Sequence, residues 1–149
     1  MLFKEKIYQT CLHLLNQQVA DLEHSLQDLV AGMTDDTKSS AGDKHETARA
    51  MAQLEQEKIN NQLAAVKSQL QVLQQLDISI LSLKAHNGSL IKSDKGYLFL
   101  SVAIGKIVVN EQTVIVLSSQ SPLGKLLMGR QINEIVEMNG IHYLVEEIL

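Results

Sequence analysis

Hydrophobic positions in the first half of the chain recur in alternating steps of four and three. Tyr8, Leu12, Leu15, Val19, Leu22, Leu26, Leu29 and Met33 form one heptad seam, the pattern of a helix that buries a single stripe against a partner helix. A second seam of Ala52, Gln56, Ile59, Leu63, Val66, Leu70 and Leu73 keeps the same alternation, with Gln56 its one polar member. Between them the stretch from Thr34 to Gly42 is polar and small, which predicts a connection. Two helices joined by one loop make an antiparallel coiled-coil hairpin. An arm of about 30 residues at about 1.5 Å per residue extends about 45 Å, beyond the edge of any small globular domain. Because a two-helix coil buries so narrow a stripe, the hairpin needs support from the rest of the chain or from a partner.

Near Leu76 the pattern changes. Residues before it are rich in Gln, Leu and Ala with only Gly32 and Gly42, whereas the other six glycines and most Val and Ile follow it. Helix gives way to sheet. The expected division is therefore 1–76 as the hairpin, with a tip loop near 34–47, and 77–149 as a second domain. Strands are predicted at Ser89–Ile91, Tyr97–Ala103, Gly105–Val109, Thr113–Leu117, Ile135–Met138 and Ile141–Ile148, with turns at Asp94-Lys95-Gly96, Asn110-Glu111-Gln112 and Asn139-Gly140. Ser121-Pro122 opens one short helix, with Ser121 as N-cap and Pro122 at the first position, and Gly129 ends it. The simplest arrangement is a meander: a small antiparallel sheet with the short helix packed on one face. The fold class is α+β.

Composition narrows the functions. The chain has 149 residues, 45% of them hydrophobic, enough for one average domain or two small ones. Thirteen Lys and Arg against 17 Asp and Glu give a net charge of −4, which argues against a nucleic-acid binder held by phosphate neutralisation and favours a protein partner. No apolar run approaches the roughly 18 residues of a membrane span, and Met1-Leu2-Phe3-Lys4-Glu5-Lys6 lacks the apolar core of a signal peptide. The expected compartment is the cytoplasm. The one cysteine, Cys11, sits within the apolar helical pattern and reads as core packing. His13, His24, His86 and His142 show no ligand spacing.

Chemistry gathers between the helices. Asp35, Asp36, Asp43 and Glu46 lie beside Lys38, Lys44, His45 and Arg49. Asp43 and Glu46, three residues apart, share one face if the second helix begins here. One reading is a capping box, with Asp43 at the N-cap and Glu46 at N3. The other is that two carboxylates on a projecting tip share a hard divalent cation, Mg²⁺, with a site on a partner, since two ligands are too few to hold it alone. The two readings are compatible.

The segment Gly42-Asp43-Lys44-His45-Glu46-Thr47-Ala48 is similar to the tip pattern of the Gre transcript-cleavage factors of bacterial RNA polymerase: Gly-Asp, two variable residues, Glu, one variable residue, Ala. The segment from Leu117 to Arg130, with Ser121-Pro122-Leu123-Gly124-Lys125 and Gly129, resembles that family's C-terminal signature. The resemblance implies an FKBP-like C-terminal domain docking beside the polymerase secondary channel, with Ser121, Pro122, Leu123, Gly124 and Gly129 at the partner-binding surface. The hairpin would enter the channel, and Asp43 and Glu46 would help hold the second catalytic Mg²⁺ of the polymerase, stimulating cleavage of the 3′ end of backtracked RNA. The factor would be a monomer and no enzyme by itself, with RNA contacted only inside the complex. This chain departs from the pattern at Lys44, where a hydrophobic or small residue is usual, at Ala50, where the family carries an aromatic residue, at Leu126, where a small residue is usual, and at Arg130, which replaces Lys.

Other classes compete with this one. A related channel binder would modulate the polymerase without stimulating cleavage. A structural coiled-coil arm would self-associate independently of Asp43 and Glu46. Prolyl isomerisation needs an aromatic-lined pocket, for which the second domain offers Tyr97, Phe99 and Tyr143. Cys11 as a nucleophile is disfavoured by its place in the helical seam.

Overall fold

The computed structural model describes residues 2–36 and 42–149, with side chains described over 2–33 and 46–149. Two helices of 34 residues each come first, α1 (Phe3–Asp36) and α2 (Gly42–Gln75). Both run further than the polar stretch suggests: Thr34 to Asp36 and Gly42 are helical, and the rest of the connection expected over Thr34–Gly42 lies outside the described residues. Polar composition does not stop a helix unless a residue competes for its backbone hydrogen bonds.

The chain divides into two compact units, one of Leu14–Leu70 and one of Met1–His13 with Gln71–Leu149. In the first, every seam position from Leu15 to Met33 and from Ala52 to Leu70 is at least half-buried, Gln56 included, while nearly all other positions are exposed. Lys67 reaches Glu23 across the pair at 3.5 Å. In the second unit α1 carries an extra buried stripe, Ile7 and Cys11, both without exposed surface. The Tyr8 hydroxyl donates to the Leu73 carbonyl at 3.0 Å.

The sheet of this unit has six strands: β1 (Leu90–Ser93), β2 (Gly96–Ser101), β3 (Gly105–Val109), β4 (Gln112–Ser118), β5 (Ile135–Met138) and β6 (Ile141–Ile148). A short helix, α3 (Pro122–Leu127), precedes β5. The spatial order is β3-β4-β2-β1-β6-β5. The expected antiparallel meander is wrong at two places: β1 pairs with β6, where a meander joins β4 to β5, and β2 does not pair with β3. β4 lies beside β2 and runs parallel to it, pairing Val114–Ser118 with Tyr97–Ser101, and β3 is pushed to the edge. Residue character explains the exchange. β4 buries Val114, Val116 and Leu117, as an interior strand must, whereas β3 exposes Lys106 and Val108, and an outward lysine suits an edge. The predicted end of β2 is shorter as well, since Val102 and Ala103 leave the ladder in a bend.

Tight turns hold the rest in register. Asn110 (φ 50°) with Glu111 (φ 64°), and Asn139 (φ 53°) with Gly140 (φ 78°), close two-residue hairpins in the left-handed backbone region that matches strand twist. One core cluster joins Ile91, Leu98, Leu100 and Val145 of the sheet to Leu123 and Leu127 of α3. On β2 the alternate residues Tyr97 and Phe99 point to the opposite face, where Phe3 of α1 meets Tyr97 edge-on with ring centroids 4.9 Å apart.

Candidate functional site

Two segments carry the chemistry, the start of α2 and the turn leading into α3. α2 begins at Gly42, so the backbone of Asp43 lies inside the first turn and not at the cap that the capping-box reading gives it. The side chains of Asp43, Lys44 and His45 lie outside those described, as do those of Asp35 and Asp36. Glu46 is described and exposed, with Arg49 exposed one turn further on and Ala50 beyond it. On helical spacing Asp43 and Glu46 share a face near the positive end of α2, where carboxylates are favoured. As donors, two carboxylates offer hard oxygens suited to Mg²⁺ but fill only part of its six-coordinate shell. Among the described residues no group of three or more His, Cys, Asp or Glu side chains comes together to hold a metal.

The turn into α3 is built more tightly. Ser118 caps a reversal of the chain: its Oγ accepts from Gln120 N at 3.0 Å, and its carbonyl accepts from Ser121 N at 3.1 Å and from Ser121 Oγ at 2.6 Å. Ser121 Oγ in turn accepts from Gly124 N at 3.1 Å, the N-cap bond anticipated for it, with Pro122 following in the first turn. Gly124 is required by packing, because a Cβ there would collide with the Ser118 carbonyl. At the other end Gly129 takes φ +80° and donates to the Ala85 carbonyl, while Ala85 N donates to Arg130 O, so the segment before β1 is tied to the end of α3. Arg130 Nε reaches back to Leu126 O at 2.8 Å.

This geometry sorts the residues assigned to partner binding. Leu123 and Gly124 are buried and Ser121 is half-buried, so their described contacts hold the turn and the core. α3 presents Pro122 and Lys125 to solvent, Met128 and Gly129 are exposed just past its end, and the following segment adds exposed Ile132 and Ile135. Arg130, a departure from the family pattern, also faces Glu134 at 3.4 Å.

The remaining candidates resolve into structural roles. Burial pushes the Cys11 thiol up to about 12, which keeps it protonated and unreactive near neutrality. His86 and Ser89 sit in the turn just before β1, with Ser89 Oγ accepting from His86 N at 2.9 Å and lying 2.8 Å from His86 Nδ1. Ser89 has no exposed surface, so that pair closes a turn and offers no reachable nucleophile. Phe99 is fully buried and Tyr97 is engaged by Phe3, which leaves neither as an open aromatic wall for a proline substrate.

One feature escaped the sequence reading. Ile78, Ser79 and Leu81 combine with Leu2, Phe3 and Leu149 in an apolar groove of about 460 Å³, and Ile80 and Leu83 of the same segment are exposed. The only signal was the aliphatic run Ile78-Ser79-Ile80-Leu81-Ser82-Leu83, which belongs to neither the helical seams nor the strands. Lys4, at the groove, is held below the usual lysine range by burial, an effect opposed by nearby Asp77, and its Nζ donates to Leu149 O at 2.9 Å.

No model of a known protein family matches the chain, and no characterised protein matches it either. Among the described residues no helix is long and apolar enough to cross a membrane.

Proposed function

We propose that this chain is a Gre-type factor of bacterial RNA polymerase: a coiled-coil hairpin entering the secondary channel, followed by an FKBP-like domain that docks beside it. The observation that carries the reading is the position of Gly42-Asp43 at the opening of α2, straight after the connection between two 34-residue helices, with Glu46 exposed one turn on. Support comes also from the order of the parts, since a small sheet with α3 packed on one face follows the helices and the Ser121-Pro122 turn opens α3. On this reading the protein is a cytoplasmic monomer and acts only in the complex.

Asp43 and Glu46 are the residues that would hold Mg²⁺ jointly with the polymerase, and the ion would supply charge stabilisation for phosphodiester hydrolysis. Their part is to present two carboxylate oxygens at a fixed spacing on a helix that a narrow channel admits. Pro122 and Lys125 on α3 and Met128 just past its end, all exposed, are the docking contacts. Ser121, Leu123 and Gly124 act behind them by setting the shape of that surface, and exposed Gly129 stands at its end. The departures at Lys44 and Ala50 favour a second reading, in which the chain occupies the channel without stimulating cleavage: Lys44 adds a cation beside the acid pair, and Ala50 removes an aromatic contact at the tip.

The test is RNA cleavage in stalled, backtracked elongation complexes, comparing wild type with an Asp43→Ala/Glu46→Ala double variant. Wild type is expected to accelerate cleavage at least 100-fold over polymerase alone, on the order of what two positioned charge-stabilising groups supply, and the variant to bind while losing that acceleration. Binding without acceleration by wild type selects the channel-modulator reading. Failure to bind the polymerase at all overturns both.

A further inference from the structure

We draw no further inference here: the strongest candidate, the apolar groove of about 460 Å³ that Leu2, Phe3, Ile78, Leu81 and Leu149 form beside the segment leading into the sheet, is an unpartnered face, and nothing in the structure shows what covers it.

Discussion

Between Leu14 and Leu70 only Leu15, Ile59 and Leu63 are buried among the described side chains, whereas the unit built on the sheet leaves Leu90, Ile91, Phe99, Leu100, Leu127 and Val145 without exposed surface. The helical unit rests on one stripe, and most of its side chains face water. The sheet unit has apolar residues on both faces and a short helix over one of them. A unit of the first kind tolerates change on its outer faces and can present charges without disturbing its own packing. A unit of the second kind transmits any change of volume, because close-packed interiors have little room to relax.

The largest contrast is expected from truncating one core residue in each unit. Phe99→Ala should cost about 3–5 kcal/mol, since it removes a ring with no exposed surface and leaves a cavity over one face of the sheet. Leu26→Ala, at a half-buried seam position, should cost about 1 kcal/mol, because part of that side chain already faces water. Urea unfolding followed by circular dichroism measures both. Equal losses would mean that the seam carries more of the stability than its burial indicates.

Glycine replacements should differ in sign. Gly124→Ala drives a methyl group into the Ser118 carbonyl, so it should destabilise by about 3 kcal/mol, at the upper end of overpacking costs, and disturb the turn that orients α3. Gly32→Ala adds an exposed methyl group inside helix α1 that, beyond the helix's own nearby backbone, meets nothing within 4 Å among the described residues. It should stabilise by about 0.5–1 kcal/mol through helix propensity. Thermal melts of the two variants decide the matter. A neutral Gly124→Ala would remove packing as the reason for glycine in the Ser121-Pro122-Leu123-Gly124 motif.

Thiol chemistry sharpens the same comparison. Cys11 has no exposed surface, and burial raises its thiol to about 12. In the native state it should react with a disulfide reagent orders of magnitude more slowly than a Leu26→Cys thiol placed in the half-buried seam of a Cys11→Ser background. The folded pKa lies above the unfolded value of about 8.5, so the folded state keeps a proton that the unfolded state gives up. Stability should therefore decline as pH rises from about 8.5 toward about 12, a decline that Cys11→Ser removes. Equal reactivity of the two thiols would show that the base of α1 opens as readily as the seam.

How much of this was legible in the sequence depended on whether the signal was local. Seam residues, the Asn139-Gly140 hairpin and the capped α3 emerged where expected, because period, turn chemistry and caps are written in neighbouring residues. The parallel pairing of β2 with β4 was missed, since it joins segments separated by a whole strand. Its trace was the unbroken run Val114-Ile115-Val116-Leu117, which reads as an interior strand once burial is known. Leu123 and Gly124, expected at a partner-binding surface, are buried, a placement that a conspicuous motif does not reveal because it does not say whether its residues face in or out. Cys11 was legible as core packing, whereas Ile7, buried one turn before it, lies outside the seam and was not read. At the tip, the sequence names Asp43 and Glu46, and the helix start at Gly42 moves Asp43 inside the first turn.

The smallest expected effect concerns Asp94, in the turn between β1 and β2. Its Oδ1 accepts from Leu144 N at 2.9 Å, while Asp94 N donates to Leu144 O at 3.2 Å, so a two-residue turn is stapled to a strand 50 residues away. The Leu144 amide, with help from Lys95, holds the carboxyl below the ordinary aspartate range despite its exposure. A depressed folded pKa means that the stabilisation is fully present above the unfolded value of about 3.9 and is lost as pH falls through the folded one. Asp94→Asn keeps an acceptor oxygen for Leu144 but removes the charge, so wild type should be slightly more stable near neutrality and the gap should close below about pH 4. Urea midpoints at several pH values test this. A gap that stays constant from neutral to acid pH would assign the staple to geometry alone, and the same closing gap in high salt would place its strength in the hydrogen bond to Leu144 and not in the screened pair with Lys95.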